Sequence, residues 1–374
     1  MKDFRKKAAV PVKDLFVKIS QILPFKFCKQ AEIFIDRVLL GKNDYLHSYF
    51  IRNQKGRIRY CIFRYPLPEI NLLSTGIEYI FHFDFCRRKH LIPLLDLEYE
   101  WFFQENRLGE YNFWELVFQQ KKSVRDAVRE ENVFIDRISG GFSYSTKACQ
   151  NINGTWNNHR IYTTKNNWRN YYRKIHKYTS KCWQVHEHIQ KHCDIFFSEH
   201  FSNKEKILGV MLREDFTAEF NKKLTGADKE LYERHPLNPD TSEIIELIRK
   251  KRQEWGFSKI FLSTMYQESV QKFQDEFGDS VVIMDRIRRT LDISADNMRR
   301  KAAMSIEENY QLFMNNREYF KQETLAYIYE VILLSRCSYY IAPHCSGSAA
   351  VLAFNGGRFL DIEVLENGRH VKGY

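Results

Sequence analysis

Long apolar runs are missing from this sequence. None approaches the ~18 residues that mark a membrane-spanning helix, and no segment joins a signal peptide's apolar stretch to a small-residue cleavage site. The expected location is therefore cytoplasmic. Paired cysteines are missing too. The eight cysteines, at positions 28, 61, 86, 149, 182, 193, 337 and 345, form no CxxC, which fits reduced thiols rather than a disulfide framework. No Walker lysine motif and no Gly-x-Gly-x-x-Gly occur, which argues against an ordinary NTPase or a dehydrogenase. No Gly-x-Ser-x-Gly elbow supports a Ser-His-Asp hydrolase. The basic balance comes with no zinc-finger spacing, RNA-recognition signature or Arg-rich recognition helix, so nucleic acid is not the expected partner. There is no solenoid period and no low-complexity tract.

What is present describes a folded chain. Hydrophobic residues make up 44% and aromatics 15%, enough to build cores, and 374 residues favour two domains. The net charge is +11. Residues 1–30 hold eight lysines and arginines against two acids, interleaved with Val10, Leu15, Phe16, Ile19, Ile22 and Leu23. Such a segment lies on an anionic membrane surface or packs on its domain as a solvated basic helix; the pattern leaves both open. Asn153-Gly-Thr155 matches a glycosylation acceptor but has no secretion signal behind it.

Residues 31–199 read as a first domain. Arg59–Phe63 predicts a strand, Leu72–Cys86 a helix, Leu91–Leu95 a strand, Asn112–Gln119 a helix and Asn132–Ile135 a strand. Residues 140–156 read as loop, and a helix is predicted from about Trp168 to His192. Residues 200–374 alternate more clearly. Strands are predicted over 206–212, 258–263, 280–284 and 338–342. Helices are predicted over Thr241–Trp255, capped by Thr241 or Ser242, and over Gln267–Phe277, Glu323–Cys337 and Ala349–Phe354. The class is α/β with parallel sheets covered on both faces, and ligands bind such sheets at the carboxyl ends of the strands.

The residues just after those strands carry the chemistry. Ser346, Gly347 and Ser348 open a helix directly after a strand and a Pro343-His344-Cys345 turn. Unpaired first-turn amides and the helix dipole make an anion site there; Gly347 permits close approach and the serines add hydroxyls. Arg213 follows the 206–212 strand and can fork onto a phosphate. Asp285 follows the 280–284 strand, where a carboxylate can accept from guanine's N–H groups. With His344 these residues suit a nucleoside diphosphate. A second cluster, Cys182, His186, His188, His192 and Cys193, matches no standard zinc module. No Asp-x-Asp pair stands beside the phosphate nest, so no metal ligands are assigned and no cofactor is expected to be required.

The second half resembles the nucleotide-binding domain of the fucosyltransferases related to the nodulation fucosyltransferase and the core α-1,6-fucosyltransferase, and of their bacterial surface-polysaccharide relatives. The resemblance rests on Leu208–Arg213, His235-Pro-Leu-Asn-Pro239, Lys259–Thr264, Phe277-Gly-Asp279, Leu333–Cys337 and His344–Ser348. In the first half, Ile92-Pro-Leu-Leu-Asp96 and Leu108–Glu115 resemble the bacterial relatives. The resemblance implies a GT-B architecture, two Rossmann-like domains whose parallel sheets face a cleft. It implies GDP-fucose as donor, held without an obligatory metal by Arg213 and the loop of Ser346, Gly347 and Ser348, with Asp285 reading the base. The acceptor would be a glycan or a lipid-linked oligosaccharide, and the product a cell-surface glycan. The chain departs from the family at Glu214-Asp215-Phe216, where Gly-Thr-Asp or Arg-Thr-Asp is usual, at Met211, where a histidine is usual, and at Ser263-Thr264-Met265, where Ala-Thr-Asp is usual.

An inverting transfer needs a carboxylate to take the acceptor's proton. Glu214, Asp215 and Glu219 share the loop after the 206–212 strand, and Asp215 is the preferred base, with Glu219 beside it. The alternative is a non-catalytic nucleotide- or glycan-binding protein on the same fold.

Overall fold

Strands buried on both faces need no polar side, so they appear in sequence as unbroken apolar runs. Ile207–Met211 and Tyr339–Pro343 are such runs, and every residue of both is buried in the computed structural model of the chain. The structure describes residues 49–67, 72–73, 80–99, 108–110, 112–137, 168–214, 217–221, 237–290, 308, 311–312 and 315–365. The basic segment 1–30, the 140–156 loop with Asn153, and Asp215 lie outside the described residues.

The elements run β1 (Tyr49–Ile51), β2 (Tyr60–Leu67), α1 (Ile80–Arg88), β3 (Ile92–Tyr99), α2 (Phe113–Val117), α3 (Val124–Glu130), β4 (Val133–Arg137), α4 (Trp168–Cys182) and α5 (Glu187–His200). They continue with β5 (Ile207–Met211), α6 (Ala218–Asn221), α7 (Thr241–Trp255), β6 (Lys259–Ser263), α8 (Gln267–Phe277), β7 (Val281–Val282), α9 (Arg317–Leu334), β8 (Tyr339–Pro343), α10 (Ser346–Asn355) and β9 (Asp361–Leu365). Two compact units result. One groups the described residues through 137 with Tyr178–His186; the other groups residues 168–177 with the described residues from Glu187 onward. The sequence placed one division near residue 200, whereas the contacts divide the chain within α4 and again just before α5.

The first unit carries a four-stranded sheet in the order β1-β4-β2-β3. Strand β2 is parallel to β3 and β4, and β1 closes the edge antiparallel to β4. One face buries Tyr60, Ile62, Leu94, Val133 and Ile135 against Val124 and Ala127 of α3. The opposite face carries Cys61 and Phe63, and Phe63 meets His82 of α1 with ring centroids 4.9 Å apart. The motif pieces around Asp96 and Gly109 meet here. Asp96 accepts from the Gly109 amide at 3.3 Å and lies 3.5 Å from Arg64 Nε, its neighbour across the strand pair. Burial outweighs Arg64 and lifts the Asp96 carboxyl to about 6.

The second unit carries a five-stranded, all-parallel sheet in the order β7-β6-β5-β8-β9. Leu208, Val210, Ile260, Leu262 and Ile341 face Ile244 and Ile248 of α7 and Val270 and Phe273 of α8. Each such aliphatic side chain contributes roughly 1.5–3 kcal/mol by leaving water. The other face receives α9, close enough that a side chain at Gly209 would meet Leu334 at 3.0 Å. The cap of α7 is Asp240 rather than Thr241 or Ser242, and Glu243 accepts from the Asp240 amide at 2.6 Å. The segment read as one helix over 168–192 is two. It breaks at Trp183–His186, where Trp183 packs into the first unit's aromatic cluster with Trp114 and Phe118. Strands β1 and β9 and helix α3 have no counterpart in the sequence reading. Among the described residues no helix is long and apolar enough to cross a membrane.

Candidate functional site

From β5 the chain lays β6 and β7 to one side, then returns to lay β8 and β9 on the other. The strand order therefore reverses between β5 and β8, and at such a reversal the two following loops part and leave a crevice at the strands' carboxyl ends. The structure places Arg213 after β5 and Ser346, Gly347 and Ser348 after β8, on the two sides of that reversal.

Local bonds fix the β5 exit. Asn238 Nδ2 donates to the Arg213 carbonyl at 2.9 Å, and Thr217 caps α6 by accepting from the Phe220 amide at 3.1 Å. The Glu214 carboxylate is turned inward, buried, and accepts from the Thr264 hydroxyl at the neighbouring exit of β6. Glu214 thus secures the loop and is not presented as a base. Glu219 lies on α6.

Helix α10 starts at Ser346 with Cys345 at its N-cap, and its first intrahelical bond runs from the Ala349 amide to the Cys345 carbonyl at 3.1 Å. The amides of Ser346, Gly347 and Ser348 precede that bond, which leaves them for an anion. The two serines differ from expectation. Ser348 is buried and its hydroxyl donates to the Pro343 carbonyl, so it braces the turn instead of offering a hydroxyl to a ligand. Ser346 is half-buried. Gly347 is buried, and a methyl group there would press on the Tyr327 hydroxyl and come within 3.1 Å of Met211 Sδ. Glycine is required by this close approach of α9 to α10. Gly347→Ala is expected to cost about 1–3 kcal/mol by overpacking, read as a lower denaturation midpoint, and Tyr327→Phe should recover part of it. An alanine variant as stable as the parent would refute the contact.

Met211 occupies the place where the resemblance puts a histidine. It receives the Tyr340 hydroxyl at 3.6 Å, so a soft thioether packs there beside Gly347. Burial pushes the Tyr327 phenol above its ordinary value; Cys345 raises it further and the Arg213 charge acts the other way. Tyr327 is thus a neutral hydroxyl within electrostatic reach of both Arg213 and the turn before α10. His344 is buried, and its backbone amide donates to Leu365 at 2.8 Å, which ties the turn to β9.

The β7 exit differs from expectation. The strand ends at Val282, and Asp285 is exposed, while Arg286 turns inward with 3% of its side chain accessible. Its guanidinium spans Glu323 at 2.8 Å and Glu330 at 2.9 Å. Glu330 also accepts from the Ser263 hydroxyl at 2.9 Å, at the end of β6. Burial raises the Glu330 pKa, with Arg286 opposing. This buried polar group was not foreseen. Its signal was present, since Glu330 is the single charged residue in the run Tyr327–Leu334.

The Cys182-to-Cys193 cluster does not assemble. Among the described residues no three of these side chains lie at metal-ligating distance from one another. His186 Nε2 lies 2.8 Å from the Glu115 carbonyl, and the His192 ring packs on Tyr329.

No family model matches the chain, and no curated protein matches it. Among solved structures it is similar to the NodZ α-1,6-fucosyltransferase soaked with GDP-fucose, at 14% identity over 79% of this chain and 92% of that one, with a TM-score of 0.39. It is similar to selenomethionine fucosyltransferase NodZ from Bradyrhizobium at 13% identity over 79% and 91%, with a TM-score of 0.40. It is also similar to POFUT1 in complex with GDP-fucose, at 10% identity over 82% and 97%, with a TM-score of 0.44.

Proposed function

We propose that the chain is a glycosyltransferase of GT-B type that uses a nucleoside-diphosphate sugar, GDP-fucose being the preferred donor. One observation carries this reading: Arg213 and the first amides of α10 flank the strand-order reversal of an all-parallel sheet. Glycosyl transfer builds charge on the departing diphosphate. A guanidinium and fixed helix-end amides stabilise that charge more in the transition state than in the ground state. In this reading no divalent cation is needed at the phosphates, and Asp215, with Glu219 nearby, supplies the base. The acceptor is a glycan or lipid-linked oligosaccharide of the cell surface, met by a cytoplasmic protein whose basic segment 1–30 is suited to an anionic membrane.

A thermal-shift screen against GDP-, UDP-, ADP- and CMP-sugars tests the donor class. A ligand that binds only the folded form raises the melting temperature, by about 2.7 kcal/mol of added stability at a hundredfold excess over Kd. GDP-fucose is expected to give the largest shift, and no shift with any of the four ends the reading. Slow donor hydrolysis without acceptor separates a transferase from a non-catalytic binder.

Asp285 is open to solvent at the β7 exit, where its carboxylate can meet both guanine N1–H and N2–H₂. Asp285→Asn puts a donor against donors and is expected to weaken GDP by about 1–3 kcal/mol, with UDP affected much less. Calorimetry with both nucleotides decides it, and equal GDP affinity in the two proteins removes Asp285 from the base site.

A further inference from the structure

We propose that Cys61, His82 and Cys86 bind a zinc ion in the first unit, with Cys182 as the thiol that completes a four-ligand set. Strand β2 places Cys61 on the face that α1 covers. His82 and Cys86 are four residues apart on α1, hence on one side of the helix. The three ligand atoms lie within 4.8 Å of one another, and all three residues are 0% exposed. Among the described residues no other group of three or more histidines, cysteines and acids meets that spacing.

The distances suit the ion. Cys86 Sγ lies 3.6 Å from His82 Nε2. A tetrahedral zinc with Zn–S of about 2.3 Å and Zn–N of about 2.0–2.1 Å sets that same edge at about 3.6 Å. The imidazole is also oriented. Its Nδ1 lies on the side of Asp136, 4.0 Å from Oδ2, and its Nε2 on the side of Cys86. A carboxylate behind a metal-bound histidine fixes its ring and raises its basicity. Asp136 is itself 0% exposed and sits on the same sheet face as Cys61, across the β2–β4 pair.

The chemistry selects the metal. Two thiols and an imidazole favour zinc over magnesium, calcium or manganese, which prefer oxygen. Zinc binds cysteine as thiolate, so both Cys61 and Cys86 would lose their protons to it on binding. Cys182, at the last position of α4, is near enough to Cys86 for the two to interact electrostatically. The ion would staple α1 to β2 and α4, a structural role separate from the proposed transfer chemistry.

The test uses the full chain purified without chelator. Elemental analysis is expected to find about one zinc per chain, as for a structural site. After chelation, cobalt(II) should restore an absorption spectrum with thiolate-to-cobalt charge transfer and the intense red bands of tetrahedral coordination. Cys86→Ser and Cys61→Ser should each abolish that spectrum, and Asp136→Asn should weaken zinc about 10–100-fold. Cobalt spectroscopy on the unaltered chain decides the matter even if the variants do not fold. Purified chain without zinc that takes up cobalt with no thiolate band overturns the proposal, as does a Cys61–Cys86 disulfide in freshly purified protein. Unchanged zinc affinity in Cys182→Ser removes Cys182 from the set. Failure here would leave Arg213 and the α10 turn untouched.

Discussion

Arg213→Ala is expected to lower the rate of sugar transfer by about 100-fold or more, the usual loss when one donor to a developing oxyanion is removed. The fold should survive, because the bond that anchors this loop is made by the Arg213 carbonyl to Asn238, and alanine retains it. Arg213→Lys should restore little, since an ammonium has no bidentate fork. Steady-state rates on variants whose melting curves match the parent give the answer. Full activity in a natively folded Arg213→Ala would dismiss the assignment.

Arg286→Met should instead strike stability. Its partner Glu330 is 1% exposed, and losing the guanidinium leaves that carboxylate with the Ser263 hydroxyl bond and the charge of Arg288. Breaking a buried pair by removing one member costs about 3–5 kcal/mol. The sign with pH follows from Glu330, whose folded pKa is raised by burial. Folding favours its protonated form, so stability from this group grows as pH falls through the folded value and is lost as pH rises. The defect in Arg286→Met should therefore shrink toward acid pH. Adding Glu330→Gln should recover most of it at neutral pH. Urea titrations at two pH values measure both effects, and a single variant as stable as the parent would show that the pair is not needed.

Much of the second unit was legible because its strands are unbroken apolar runs and its helices alternate with them. The amphipathic pattern of Thr241–Trp255 gave α7 to the residue, although its cap is Asp240. Strand β9 was missed because Asp361 and Glu363 break the apolar run at the sheet edge, where β9 has a strand on one side only. Helix α3 has seven residues, too few for a periodic signal; its start was marked by Ser123, which accepts from the Asp126 amide at 3.1 Å. At the site, the sequence located the loops but not the direction of their side chains. Of adjacent Asp285 and Arg286, one faces water and the other lies buried on Glu330. Ser346 and Ser348 look equivalent in a list of small residues, yet helical geometry turns only Ser348 onto the Pro343 carbonyl. The Cys61, His82 and Cys86 group was hidden for a similar reason. The i, i+4 pair on α1 was readable, whereas Cys61 joins it only through helix-on-sheet packing.

The reversal between β5 and β8 also bears on how the second unit assembles. Pairing β5 with β6 closes a modest loop, but β5 meets β8 only through a contact spanning 131 residues, seen in the Ile207 amide and the Ser338 hydroxyl. Closing so long a loop costs more entropy, and such pairings form slowly. On that ground the strand junction that brings Arg213 beside the α10 turn is expected to form later than the pairing of β5 with β6.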